Sequence, residues 1–184
     1  MPKSELVDYF DRKGHRIGYC SREESEDKNL IIANAIIFIF DSSGRVWLQK
    51  RATNKKHYPG LYDTSACGAI EHGERPILAA IREQQEEMGF NCRLYFARRF
   101  LNSFSDETDD LVRTRLSYLY VGISNKKPAK NYEVDEFVLF EDHQIFREAL
   151  KHPEKFVPSM SRELGIAIKK YEKLKANLAI SQEL

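Results

Sequence analysis

Residues 68–90 read GAIEHGERPILAAIREQQEEMGF and carry the most position-specific chemistry in the chain. Pro76 suits the first turn of a helix, where its missing N–H is no loss, and Gly89 suits the left-handed residue that follows a last turn. The spacing therefore predicts a helix over Pro76–Met88. At about 100° per residue with Glu83 as origin, Glu86 falls about 60° to one side and Glu87 about 40° to the other. Ile77, Ile81 and Met88 gather opposite, with Leu78 beyond them. The helix is expected to bury that aliphatic stripe and present three carboxylates together. Like charges at Glu83 and Glu87 cost roughly 0.2–0.5 kcal/mol, and carboxylates near a helix C-terminus oppose its dipole. A hard divalent cation with oxygen ligands would compensate. The plain alternative is a solvated acidic face with Arg82 paired to Glu86.

Upstream, Leu30–Phe40 is apolar and rich in β-branched residues, too short for a bilayer and suited to a buried strand. It is joined to Val46–Lys50 through Asp41-Ser42-Ser43-Gly44, a hairpin signature. Leu6–Phe10 and His15–Cys20 flank a turn ending at Gly14 and predict an N-terminal hairpin. Polar Ser21–Asn29 reads as a loop or short helical turn. Arg51–Gly60 is a basic loop, and Thr64–Ile70 a small-residue strand or loop. Downstream, Cys92–Ser103 and Leu111–Ile123 read as strands around the acidic loop Asp106–Asp110. Lys126–Lys130 is a basic turn and Phe137–Phe140 a short strand. Helices are predicted over about Asp142–Lys151 and after Pro158. The second is capped by Ser159 or Ser161, with Leu164, Ile168, Tyr171, Leu174 and Leu178 on one face.

The 184 residues suit one α/β domain, and the 29 Lys and Arg balance 28 Asp and Glu. A net charge of +1 argues against a nucleic-acid polymer gripped by bulk charge. No apolar span or leader pattern is visible, and Cys20, Cys67 and Cys92 are scattered and odd in number. A cytoplasmic protein with reduced thiols and no membrane partner is expected.

The spacing Gly68, five residues, Glu74, seven residues, Arg82-Glu83, two residues, Glu86-Glu87, one residue, Gly89-Phe90 resembles the Nudix box of the Nudix hydrolases. The position after Arg82-Glu83 is usually aliphatic in that family. Here it is Gln84, expected at the edge of the core with a local partner for its amide. The resemblance implies an α/β/α sandwich with a mixed sheet, as a single Nudix domain over 1–184. Residues 1–28 would form a hairpin extension, 68–90 the box and 142–184 the C-terminal helices. It also implies hydrolysis of a diphosphate linkage, in a nucleoside diphosphate derivative or a similar small substrate. Glu83, Glu86, Glu87 and the Cys67 backbone carbonyl would hold Mg²⁺ or Mn²⁺, Arg82 would orient a ligand carboxylate, and Glu74 would brace the loop against the helix. Glu87, where it is not wholly committed to the ion, is one general-base candidate; Glu133 and Glu136, with Asp135 between them, are others or else an exposed acidic turn facing Lys126, Lys127 and Lys130. Arg51, Lys55, Lys56 and His57 are candidates to meet the substrate's anionic end, as is Arg115, which shares a strand face with Arg113. Tyr58, Tyr62, Phe104 and Tyr118 are candidates to stack on a base or, equally, core residues. The family often dimerises, which leaves a homodimer open.

Lys50–Tyr62 followed by Cys67-Gly68 is similar to type I isopentenyl diphosphate isomerase, which is built on the same fold and moves a double bond by protonation and deprotonation. Cys67 falls at that enzyme's catalytic cysteine. The isomerase then requires a histidine where this chain has Ala69, histidines that are missing between His15 and His57, and carboxylates where it has Thr114-Arg115-Leu116. The hydrolase box is complete, so hydrolysis is favoured. An isomerase-like enzyme using Cys67 and a non-catalytic binding module are the alternatives. Cys67 itself reads as a packed small residue or as a functional thiol.

Overall fold

The computed structural model describes residues 5–105 and 111–180; the predicted acidic loop Asp106–Asp110 lies outside them, as do residues 1–4 and 181–184. The organising element is β3 (Ile31–Phe40), whose side chains alternate between two cores. Ile36, Phe38 and Phe40 face one side and Ala33, Ala35, Ile37 and Ile39 the other, as the two-residue period of a strand requires. A strand buried on both faces needs helices on both faces, and the chain supplies them.

One edge of β3 pairs in parallel with β8 (Val112–Ile123), which continues antiparallel to β7 (Leu94–Ser105). The other edge is shared in succession by β1 (Leu6–Phe10), β6 (Ala66–Ala69) and β4 (Val46–Arg51). β1 carries the hairpin partner β2 (Arg16–Ser21), and β4 carries β5 (Tyr62–Asp63) and β9 (Val134–Phe140). The sheet is thus mixed. Helix α2 (Pro76–Met88) covers one face; α3 (Asp142–Lys151) and α4 (Met160–Ile180) cover the other, giving the expected α/β/α sandwich. No helix among the described residues is long and apolar enough to cross a membrane.

Local signals hold at both ends of α2: Pro76 opens it and Gly89 closes it at φ 77°. Polar Ser21–Asn29 becomes a six-residue helix, α1 (Arg22–Asp27), whose Glu24 amide donates to Ser21 Oγ at 3.1 Å. On α4, Leu164, Tyr171 and Leu174 are buried and Ile168 half-buried, while the Leu178 side chain lies outside the described set.

Two readings need correction. β9 begins at Val134, three residues before Phe137, because Glu136 pairs across to Lys50 on β4. Asp135 and Glu136 are therefore strand residues, not a turn. The second correction concerns α2. Its buried face is Ala79, Ala80, Glu83, Gln84, Glu87 and Met88, while Leu78 and Ile81 remain 49% and 38% exposed. The alanines let the helix lie close to the sheet, and Glu87 turns inward to donors on the sheet, while Glu83 is held by Arg82 on the helix itself.

Candidate active site

Glu83, Glu86 and Glu87 line one cleft of about 500 Å³ together with Arg82 and the backbone at Cys67–Gly68. Each carboxylate is held differently. Glu87 Oε2 accepts from the Gln49 side-chain amide and from the Cys67 N–H, both at 2.9 Å. Burial pushes the Glu87 carboxyl up to about 8, with the charges of Glu83 and Asp63 adding to it and the two donors opposing. Glu83, 8% exposed, is also raised by burial, against the pull of Arg82. Glu86 points outward.

Arg82 ties these groups to the preceding loop. Its Nε and Nη2 donate to the two Glu74 oxygens at 3.2 and 2.9 Å, and Nη2 also donates to the Ala69 carbonyl at 3.0 Å. Nη1 donates to Glu83 at 2.6 Å and to Glu86 at 3.3 Å. Glu74 also accepts from the Glu71 amide at 3.1 Å, so it closes the loop against the helix. Gln84 is fully buried, and its Oε1 accepts from the Cys92 N–H at 3.2 Å, the local partner the sequence called for.

The donor set suits a hard divalent cation. Two of the three clustered carboxylates are inside the protein with raised pKa values, and Arg82, with Arg22 adding to its pull on Glu83, only partly offsets their charge. As placed, Glu83 and Glu86 lean to Arg82 and Glu87 to the sheet, so no three acidic, His or Cys side chains among the described residues enclose a common point. Binding an ion therefore requires Glu83 and Glu86 to turn from the guanidinium.

Gly68 shows how tightly Glu83 is accommodated. A Cβ at this position would lie 1.9 Å from the Glu83 carboxyl carbon. The end of a side chain can move where backbone cannot, so Gly68→Ala is expected to fold while displacing Glu83. Mg²⁺ affinity, read by titrating the melting temperature, should fall about tenfold or more; an unchanged affinity would separate Glu83 from the ion.

Of the basic candidates, Arg51 and Lys55 reach the cleft and Lys56 does not. Arg51 Nη1 pairs with Asp63 at 2.9 Å, Lys55 with Glu133 at 2.6 Å, and Lys56 with Glu26 at 2.9 Å with 71% of its side chain exposed. Glu133 also lines the cleft. Burial works against its charge, but hydrogen bonds from Lys55 and Tyr132 outweigh that and hold the carboxyl below its ordinary value. Glu136 and Asp135 line a separate depression with Lys50, Lys127 and Lys130.

Behind Arg51 and Cys67 a smaller cavity of about 160 Å³ opens between the sheet and α4. Both Arg113 and Arg115 line it, as their shared strand parity predicts, together with His57, Tyr58 and Phe104. Tyr62 instead packs against Phe140 and Phe156, and Tyr118 lies under Arg99. Burial drives the Cys67 thiol well above its ordinary pKa, with Asp63, Glu163 and Glu87 adding to the effect. That disfavours the thiolate.

Sequence reasoning missed Gln49, Asn131 and Glu163. Gln49 is a polar residue at a buried strand position. Asn131 donates to the carbonyls of Glu86 and Glu87 at 2.8 and 3.0 Å, closing the last turn of α2. Glu163 is buried on α4, accepts from Asn102 at 2.7 Å, and is pushed up to about 8 by burial. Its folded pKa exceeds its unfolded value near 4.5, so the ionised form burdens the fold. The burden is absent below about pH 4.5, grows to about pH 8 and is complete above it. Glu163→Gln is expected to stabilise the protein by of order 5 kcal/mol near pH 9 and by less than about 1 kcal/mol near pH 5, measured by urea unfolding. A difference independent of pH would contradict this assignment.

Against known proteins, the NUDIX domain family model matches residues 31–160. The chain belongs to the Nudix family. It is 34% identical over 156 residues to an isopentenyl-diphosphate Delta-isomerase of Serratia proteamaculans, covering 83% of this chain and 85% of that protein. It is 31% identical over 129 residues to isopentenyl-diphosphate Delta-isomerase 2 of Photorhabdus laumondii, covering 70% and 72%. Among solved structures, DR0079 of Deinococcus radiodurans superposes with a TM-score of 0.72 over 89% of this chain and 99% of that one. At 18% identity this likeness concerns the fold.

Proposed function

We propose that the protein hydrolyses a diphosphate linkage in a small phosphorylated substrate, such as a nucleoside diphosphate derivative, with Mg²⁺ or Mn²⁺. The observation that carries this reading is the Glu83–Glu86–Glu87 cleft braced by Arg82 and Glu74. Those three glutamates, with the Cys67 carbonyl, would hold the ion, which supplies positive charge against the phosphoryl oxygens. Arg51 and Lys55 at the cleft orient the diphosphate. Water attacks phosphorus, the anhydride P–O bond breaks and the leaving phosphate takes the electron pair. Glu133, a general-base candidate that lines the cleft, accepts the proton of the attacking water.

A second reading, double-bond isomerisation, is favoured by the names of the relatives above and by Cys67 and Glu163 lining one cavity. Protonating an alkene there would create a carbocation beside Arg113 and Arg115, whose charges oppose it. The two readings separate in one experiment. Nucleoside diphosphate derivatives, nucleotide sugars, dinucleotides and isopentenyl diphosphate are incubated with Mg²⁺ and the products followed by ³¹P and ¹H NMR. New phosphate resonances support hydrolysis. An isomerised alkene with its diphosphate intact overturns it.

A further inference from the structure

We propose that the cavity behind Cys67 is a second anion subsite, built to take a phosphate group that the substrate carries apart from the diphosphate to be cleaved. The inference rests on the hydrolase reading for its meaning, but the site itself stands on separate residues. Arg115 lines this cavity half-buried. Its one hydrogen bond among the described residues goes to the adjacent Thr114 carbonyl at 3.3 Å, and no carboxylate there pairs with it. Arg113, on the same strand face, lines the same wall. Two guanidiniums on one wall repel each other, and burial together with Arg113 lowers the Arg115 pKa against the opposing charge of Glu26.

An inward guanidinium without a carboxylate is costly, and an incoming oxyanion resolves that cost. Arg also presents a planar fork that matches phosphate oxygens. Among the described residues that line the cavity, neither carboxyl is paired with Arg115. Asp63 is already paired to Arg51, and the Glu163 carboxyl, hydrogen-bonded to Asn102, holds its proton at neutral pH. Asn34 and Asn102 add neutral polar groups. A hydrocarbon tail would leave the Arg115 guanidinium without an oxyanion.

The cavity adjoins the carboxylate cleft, because Arg51 and Cys67 line both. One extended molecule can therefore place its diphosphate at the glutamates and a second phosphate at Arg115. The substrate class this names is a diphosphate ester bearing a further phosphomonoester.

The probe is inorganic phosphate, added to the whole protein in excess chelator so that the glutamate cleft holds no cation and disfavours anions. Wild-type protein should show a saturable rise in melting temperature with phosphate. Arg115→Met should melt no lower than wild type without phosphate and bind phosphate about tenfold more weakly or not at all. Arg115→Lys should retain part of the effect. Because Arg98, Arg162, Lys169, Lys170 and Lys173 line a basic groove elsewhere, Lys173→Ala serves as the comparison and should leave the effect unchanged. A phosphate shift that survives Arg115→Met, or that disappears with Lys173→Ala, overturns the proposal, as does no shift at all in wild type. Phosphate binding at Arg115 with no diphosphate cleaved would leave the subsite standing and remove the hydrolase reading; cleavage without such binding would do the reverse.

Discussion

Replacing Glu86 by Gln is expected to lower diphosphate cleavage by about a hundredfold or more while leaving stability within about 0.5 kcal/mol of wild type. The separation of the two effects follows from where Glu86 sits. Its side chain is 57% exposed, and its one ion pair among the described residues is a 3.3 Å contact to Arg82, which has better partners in Glu74 and Glu83. Little of the fold depends on it. The cleft loses one of its three clustered carboxylates, and with it a ligand for the cation that the other two cannot replace. Steady-state rates over a Mg²⁺ series and a urea curve check both halves. Activity near wild type at saturating Mg²⁺ would remove Glu86 from the site.

The largest stability loss is expected at Arg82. Arg82→Ala should cost about 2–4 kcal/mol, because it strips charge-assisted hydrogen bonds from Glu74 and Glu83, whose side chains are only 17% and 11% exposed. The cost should depend on pH with a definite sign. Burial already raises the Glu83 pKa and Arg82 opposes that rise, so without Arg82 the ionised form is penalised further. The deficit should be smallest below the ordinary carboxylate range, where Glu83 is protonated in both states, and should widen as pH rises. Urea unfolding at pH 5 and pH 8 measures it. A loss below about 0.5 kcal/mol at both would show that the loop and helix are held by other contacts.

What was legible in the sequence was what local chemistry decides. Pro76 and Gly89 bound α2 because N-terminal and C-terminal turns have their own residue requirements. Arg113 and Arg115 share a cavity wall because strand geometry leaves no choice. The inward turn of Glu83 and Glu87 was not legible, since a helical wheel ranks faces by hydrophobicity. The donors that draw Glu87 inward come from Gln49 and Cys67, 38 and 20 residues away in the chain. Glu163 escaped notice for the same reason: its partner Asn102 is 61 residues distant, on a strand that only the fold brings under α4. A complete box therefore announced the cleft, while the cavity beside it had to be seen.

The central claim is that water attacks phosphorus in the glutamate cleft. The direct measurement is to run the Mg²⁺ reaction in H₂¹⁸O on whichever diphosphate turns over and weigh the products. The account predicts one ¹⁸O in a phosphoryl product and its disappearance in Glu86→Gln. Turnover with no ¹⁸O in any phosphoryl product, above all with an intact diphosphate and a shifted double bond, would contradict it.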